Sequence, residues 1–221
     1  MIKAIIFDFD GTLVNLFDQH LTAFQETIKR HFNIDFKRED LDEGYGRNGE
    51  DILRMFFKKK GLYVNTEKLK EIAAERRNLA LEKIGWRIKL LPGAGELIKN
   101  LKKAGLKIAV ATSCSRKICD RALAMPQFKE LDASTTGSEV MKGKPDPEIF
   151  LKTAEKLGVK PEECIIFEDS AYGVKAGKNA GMKVIAVTTG HDSKEKLIKE
   201  NPDRIIQSLV DVRIEGLKRM N

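Results

Sequence analysis

The period of the apolar positions changes twice along this chain. Ala4–Phe7 is a short apolar run, β-branched at Ile5 and Ile6, that ends just before the turn pair Asp10-Gly11. A buried parallel strand reads this way. Past Val14 the period becomes helical, with Phe17, Leu21, Phe24 and Ile28 spaced by four, three and four. Ile52, Leu53, Phe56 and Phe57 extend the helical signal as far as Gly61. Thr66 is then the expected cap of a helix carrying Leu69, Ile72, Ala73, Leu79 and Ala80. No strand-like run occurs between Leu16 and Gly85. From Pro92 onward strands and helices alternate. Helices are expected at 94–103, 115–124, 146–157, 171–179 and 193–200, and strands at 106–111, 164–167, 184–187 and 204–206, with 210–220 closing the alternation.

That alternation implies an α/β fold with a parallel, Rossmann-like sheet. A helical block interrupts it directly after the first strand. The expected organisation is a core domain of residues 1–15 and 89–221 and an inserted helical cap of residues 16–88, with hinges near 14–17 and 85–91.

Polar residues gather where the strands end. Asp8 and Asp10 follow the first strand at positions i and i+2. Two negative charges at the end of a core strand are expensive to bury unless a cation sits with them, and a divalent metal would serve. The C-terminal edge of a parallel sheet is also where α/β folds place ligands. The alternative is a pair of aspartates that only cap a strand and open a turn. Thr112-Ser113-Cys114-Ser115 follows the second strand, where hydroxyls and backbone N–H groups ahead of a helix make an anion site. Ser113 or Ser115 could equally be a helix N-cap. Lys144 lies in Lys144-Pro145-Asp146-Pro147, before a helix for which Asp146 is the expected N-cap. Glu168 and Asp169 end the apolar strand 164–167. They read as metal or catalytic acids, or as a helix N-cap by Asp169 or Ser170.

In order, these segments resemble the four motifs of the haloacid dehalogenase-like superfamily of phosphatases and phosphomutases. Asp8-Phe9-Asp10-Gly11-Thr12-Leu13-Val14 is similar to the first motif, and Thr112, Lys144 and Glu168-Asp169 fall on the other three. The resemblance covers essentially the whole chain and points to the branch of phosphoglycolate phosphatases and β-phosphoglucomutases. It implies that Asp8 attacks phosphorus to form an aspartyl-phosphate, and that Asp10 protonates the leaving oxygen and then activates water. It implies Mg²⁺ held by Asp8, the Asp10 backbone carbonyl and Asp169, with Glu168 direct or through water. Thr112 and the Ser113 amide would hold phosphoryl oxygens, and Lys144 would offset the crowded negative charge.

The cap would choose the substrate. Arg47, in the glycine-spaced stretch Gly44-Tyr45-Gly46-Arg47, resembles the branch's cap arginine, and His20 falls where that branch has a histidine. An exposed arginine and a packing histidine are the plain alternatives. There are departures too. Asn15 stands where many relatives have aspartate, and Thr12 matches the phosphatase form of the first motif better than the mutase form. The mutases' cap lysine has no secure match, Arg76 and Arg77 being only nearby cations. The expected function is therefore a Mg²⁺-dependent phosphatase acting on a small phosphorylated metabolite. The runner-up is a sugar phosphomutase of the β-phosphoglucomutase type, and a third reading is a non-catalytic phosphometabolite-binding protein.

Composition narrows the setting. The 221 residues are 42% hydrophobic and 33% charged, as in a globular protein. The net charge is +7, but no aromatic-basic interleaving accompanies it, so no nucleic-acid partner is expected. Lys58-Lys59-Lys60 reads as a solvated helix end. No apolar run approaches the ~20 residues needed to span a bilayer, and the chain enters its first strand without a signal-peptide pattern. Cys114, Cys119 and Cys164 lack CxxC spacing, which fits reduced thiols in the cytoplasm. The expected assembly is a monomer or weak homodimer.

Overall fold

The computed structural model describes residues 1–85 and 88–220. Its centre is a six-stranded sheet of β1 (Ala4–Phe7), β2 (Lys107–Thr112), β3 (Ala133–Thr136), β4 (Cys164–Glu168), β5 (Lys183–Val187) and β6 (Arg204–Ile206). Every pairing is parallel, and the order is β3-β2-β1-β4-β5-β6. Among the described residues four helices separate β1 from the rest of the core: α1 (Phe17–Phe32), α2 (Arg38–Asp42), α3 (Gly49–Lys59) and α4 (Thr66–Ile84). Six more follow: α5 (Ala94–Lys103), α6 (Arg116–Leu123), α7 (Glu148–Leu157), α8 (Ala171–Asn179), α9 (Lys194–Lys199) and α10 (Ile214–Lys218).

The two-residue alternation of each strand feeds two apolar layers. Ile5, Phe7, Ile108, Val110, Ile165 and Phe167 pack beneath α5, α6 and α10. Ala4, Ile6, Ala109, Ala111 and Ile166 pack beneath α7, α8 and α9. The alanines on the second face, and Gly177 in α8, let those helices sit close. A Cβ on Gly177 would lie 2.7 Å from Val184 and 2.8 Å from Ile166. Phe7 pairs with Val110 on one side and Phe167 on the other, so Asp8 emerges between the ends of β2 and β4. The strand order reverses there, and open α/β sheets bind ligands at such a point.

The helices between β1 and α5 have a separate apolar core of Phe17, Phe24, Ile28, Phe36, Leu53, Phe56, Phe57, Leu69 and Ile72. Phe24 and Phe36 stack at its centre, with ring centroids 4.9 Å apart. The expected second hinge, 85–91, contains Trp86 and Arg87, which lie outside the described residues. No helix among the described residues is long and apolar enough to cross a membrane.

Several sequence expectations need correction. β3 was not expected: Ala-Ser-Thr-Thr has no bulky apolar residue, and as an edge strand it pairs only with β2. The five-residue α2 was also absent from the reading, being too short for a 3.6-residue period to show. Asn65, not Thr66, caps α4, its side chain accepting from Lys68 N at 2.8 Å. Pro147 takes the N-cap place of α7, although Asp146 Oδ1 still accepts from Glu148 N at 3.0 Å. The last expected element begins as a 3₁₀ turn, Leu209–Asp211, and becomes α-helical only at Ile214–Lys218.

Candidate active site

Strand ends and helix starts carry most of the site's side chains. Asp8 follows β1, and its carboxylate accepts from Lys144 Nζ at 2.5 Å. The same ammonium donates to Glu168 Oε1, and its tip lies 5.1 Å from the Phe150 ring centroid. Lys144 is 1% exposed and Glu168 is fully buried, so this ion pair is shielded from water. The second Glu168 oxygen accepts from Ser170 N at 2.7 Å and Ser170 Oγ at 2.9 Å. Both oxygens of Glu168 are thus taken by protein donors, and the residue fixes Lys144 against Asp8.

Gly173 makes that arrangement possible. A Cβ there would fall 1.8 Å from Glu168 Oε1. Gly173→Ala is expected to lower stability by about 1–3 kcal/mol, as overpacking does, and to cut activity by displacing Lys144. Thermal melting and turnover, measured side by side, check both effects.

Asp169 lies across from Asp8. Its Oδ1 accepts from Thr12 Oγ1 at 2.9 Å, and its Oδ2 accepts from Tyr45 Oη at 2.7 Å. Tyr45 comes from the helical insertion and also reaches the Asp10 carbonyl, at 3.3 Å. Gly11 leaves room for this contact. Its φ is +94°, and a Cβ would lie 2.0 Å from Asp169 Oδ2.

Asp10 points the other way. Its Oδ1 accepts from Leu16 N at 2.6 Å, while Oδ2 lies 3.7 Å from His20 Nε2. Arg76 Nη2 lies 2.6 Å from His20 Nδ1. Arginine only donates, so Nδ1 is the acceptor and the ring proton sits on Nε2, facing Asp10. Burial, then the Arg76 charge, pushes the His20 pKa well below the usual histidine value, so the ring is neutral.

Thr112 ends β2, and its Oγ1 accepts from Cys114 N at 3.1 Å. Ser113 Oγ donates to the Gly46 carbonyl at 2.7 Å, tying the core to the insertion. Arg47 lines the same cavity but is met by Asp51 at 3.3 Å. Lys142 is exposed. The cavity, lined by Asp8, Asp10, His20, Arg76, Thr112 and Asp169 among others, has a volume of about 70 Å³. At roughly 10–15 Å³ per water on that scale, it admits a phosphate-sized group with a short extension.

Burial raises the Asp8 carboxyl to about 7 against the opposing pull of Lys144, and raises Asp10 to about 7 as well. Asp169 also lies well above the usual carboxylate range, chiefly from burial and then from the Glu168 and Asp8 charges. Crowded, desolvated carboxylates of this kind call for a cation. Among the described residues, no three His, Cys, Asp or Glu side chains converge into a ready metal cage. Two carboxylates, Asp8 and Asp169, plus the Asp10 carbonyl could supply half a shell. That suits Mg²⁺, which keeps several waters.

Tyr45 and Arg76 are the site residues that the sequence reading missed. Tyr45 is an aromatic between two glycines in a loop, which is a weak signal. Arg76 had a stronger one. It falls in the apolar stripe Leu69, Ile72, Ala73, Leu79, Ala80, and it proves to be 7% exposed in the cavity wall rather than a peripheral cation. Cys114 lies 3.7 Å from His20 Nε2, and burial pushes its thiol far above the usual range. A thiol held protonated is a poor nucleophile. Cys114→Ser is expected to keep most activity, and steady-state turnover of the folded variant checks this.

Comparison with known proteins gives a consistent picture. Residues 5–187 match the model of the haloacid dehalogenase-like hydrolase family. A putative pyrophosphatase PpaX of Clostridium perfringens is 34% identical over 222 residues, covering 100% of both chains. The β-phosphoglucomutase of Bacillus subtilis is 31% identical over 94% of this chain and 93% of its own. The crystal structure of CbbY from Rhodobacter sphaeroides in complex with phosphate superposes with a TM-score of 0.84 at 27% identity, covering 99% of this chain and 100% of the other.

Proposed function

Since the chain belongs to the haloacid dehalogenase-like hydrolases, we propose that it is a Mg²⁺-dependent phosphatase of small phosphorylated metabolites, working through a phosphorylated Asp8. The observation that carries this reading is Asp8 at the switch point of the sheet, held by the buried Lys144 ammonium beside a second carboxyl, Asp10, that burial raises to about 7.

In the first step a carboxylate oxygen of Asp8 attacks phosphorus, and the bond to the leaving oxygen breaks. Protonated Asp10 gives that oxygen its proton. In the second step Asp10, now a carboxylate, takes a proton from water as the water attacks phosphorus, and the bond to Asp8 breaks. Lys144 offsets the negative charge that would repel the incoming phosphate. Thr112 and the Ser113 amide, at the end of β2, would hold phosphoryl oxygens. When bound by Asp8, Asp169 and the Asp10 carbonyl, Mg²⁺ supplies positive charge to the same phosphoryl group. Glu168 holds the Lys144 ammonium beside Asp8.

Hydrolysis is favoured over mutation by Thr12, which matches the phosphatase form of the first motif better than the mutase form. Release of phosphate from p-nitrophenyl phosphate, dependent on Mg²⁺ and abolished by EDTA, is the expected result. Conversion of β-glucose 1-phosphate to the 6-phosphate faster than phosphate release would select the mutase. No reaction on any phosphorylated metabolite would leave a binding protein.

A further inference from the structure

One hydroxyl of the helical insertion reaches the oxygens assigned to the metal. Tyr45 Oη donates to Asp169 Oδ2 at 2.7 Å and lies 3.3 Å from the Asp10 carbonyl oxygen. These belong to two of the three residues assigned to Mg²⁺, and Asp8 is the third. Burial, and then the negative charges of Asp169, Asp10 and Asp8, push the phenol far above its usual range, so it stays a protonated donor. The hydroxyl therefore feels all three acids at once.

The chain is shaped to let it in. Gly11 has a φ of +94°, and a Cβ on it would lie 2.3 Å from Tyr45 Oη. The Tyr45 ring is buried against Phe17 and His191, with ring centroids 5.9 and 5.5 Å away. The next residue, Gly46, lies close on the core. Its carbonyl accepts from Ser113 Oγ at 2.7 Å, and a Cβ on it would come 2.2 Å from Ser170 Oγ.

A neutral hydroxyl is a weak answer to so much charge. It offers one proton, while Asp8 already has the Lys144 ammonium. A divalent cation would match the acids better, and it takes its oxygens at about 2.0–2.1 Å. An atom hydrogen-bonded to Asp169 Oδ2 and close to the Asp10 carbonyl competes for the same pair. Support of Asp169 is the other role a tyrosine could have there. That role is already filled, because Thr12 Oγ1 donates to Asp169 Oδ1 at 2.9 Å and orients the carboxylate from within the core.

We propose that Tyr45 gates the metal site: docked, its hydroxyl engages the oxygens of Asp169 and Asp10 that Mg²⁺ needs, so that metal binding and docking of residues 44–47 on the core oppose each other. Loading of the metal then frees this segment of the insertion, Arg47 included, beside the cavity. The assignment rests on the Mg²⁺ site of the phosphatase reading and adds a control on its occupancy.

Calorimetric titration of Mg²⁺ into the metal-free protein, without substrate, tests it. Tyr45→Phe keeps the ring against Phe17 and His191 and removes only the hydroxyl. It should bind Mg²⁺ about 10-fold more tightly than the wild-type protein, the worth of a hydrogen bond to a charged group. Weaker binding would make Tyr45 a support for Asp169, and equal binding would mean that the hydroxyl stands aside. Either result overturns the proposal and leaves the metal site and the phosphatase reading intact. No Mg²⁺ uptake by either protein overturns the proposal together with the metal site. Hydrogen exchange gives a second readout, since coupling between two binding events acts in both directions. Amides of residues 44–47 should exchange faster in the wild-type protein with saturating Mg²⁺ than without it, and Tyr45→Phe should show little change. If Tyr45→Phe does not fold, the wild-type exchange decides alone, and unchanged or slower exchange on adding Mg²⁺ overturns the proposal.

Discussion

Asp8→Asn is expected to abolish turnover and to leave no phosphorylated enzyme, while Asp10→Asn is expected to stop after the first step. The two residues are only two apart in sequence, yet their surroundings give them different work. Asp8 is clamped by Lys144 at 2.5 Å, which keeps its carboxylate fixed and screened for attack. An amide there has no attacking anion. Asp10 is held through Oδ1 by Leu16 N at 2.6 Å, a bond that an asparagine oxygen can also accept. The backbone carbonyl assigned to Mg²⁺ is unaffected as well. What Asp10→Asn removes is the proton carried by a carboxyl that burial raises to about 7. General acid–base help is worth about 10²–10⁴-fold. With an aryl phosphate, whose leaving group needs little protonation, the first step should survive better than the second. A burst of p-nitrophenol followed by very slow turnover is the expected time course for Asp10→Asn. Asp8→Asn should show neither phase.

Lys144→Met should cost more stability than any surface change. The substitution roughly keeps the side chain's length and apolar stem, but it leaves Asp8 and fully buried Glu168 facing each other without a cation. Breaking a buried pair in this way costs about 3–5 kcal/mol. The loss should grow as pH rises. The folded Asp8 pKa is already raised to about 7 from 3.8 by burial, against the pull of Lys144. Removing Lys144 raises it further, so the folded variant binds protons more tightly than the unfolded chain. Its stability is then greatest below about pH 4 as far as this group is concerned, and it falls as pH climbs through the folded pKa. Urea unfolding at pH 5.5 and pH 8.5, with EDTA present, should show a larger deficit at pH 8.5. Equal deficits would mean that Lys144 is a packing element and not a counter-ion.

The parallel sheet was legible because its central strands are buried on both faces. Ile5-Ile6-Phe7 and Ile165-Ile166-Phe167 can be little else. β3 escaped because its residues, Ala133–Thr136, carry no such run and take their strand conformation from pairing with β2. The core site was legible for a related reason. Asp8, Thr112, Lys144 and Asp169 sit at strand ends or loop starts, where charge and hydroxyls break an apolar pattern. The insertion was harder to read. Tyr45 reaches Asp169 across 124 positions of sequence, and Arg76 reaches His20 across 56. Contacts between elements so far apart in sequence leave no local period to detect. The fourth-motif resemblance implies Glu168 at the metal, direct or through water. The fold adds that its carboxylate is hydrogen-bonded to Lys144 and Ser170, contacts with no signal in the sequence.

Covalent phosphorylation of Asp8 is the central claim, and trapping tests it most directly. Wild-type protein and Asp10→Asn, mixed with an aryl phosphate and Mg²⁺, would be acid-quenched within milliseconds and reduced with borohydride, which converts an aspartyl-phosphate to homoserine. Peptide mapping by mass spectrometry then locates the change. The prediction is homoserine at position 8 in both proteins, at higher occupancy in Asp10→Asn, and none in Asp8→Asn. Modification at position 10, phosphate on a serine or threonine, or no modified residue in an actively hydrolysing sample would contradict it.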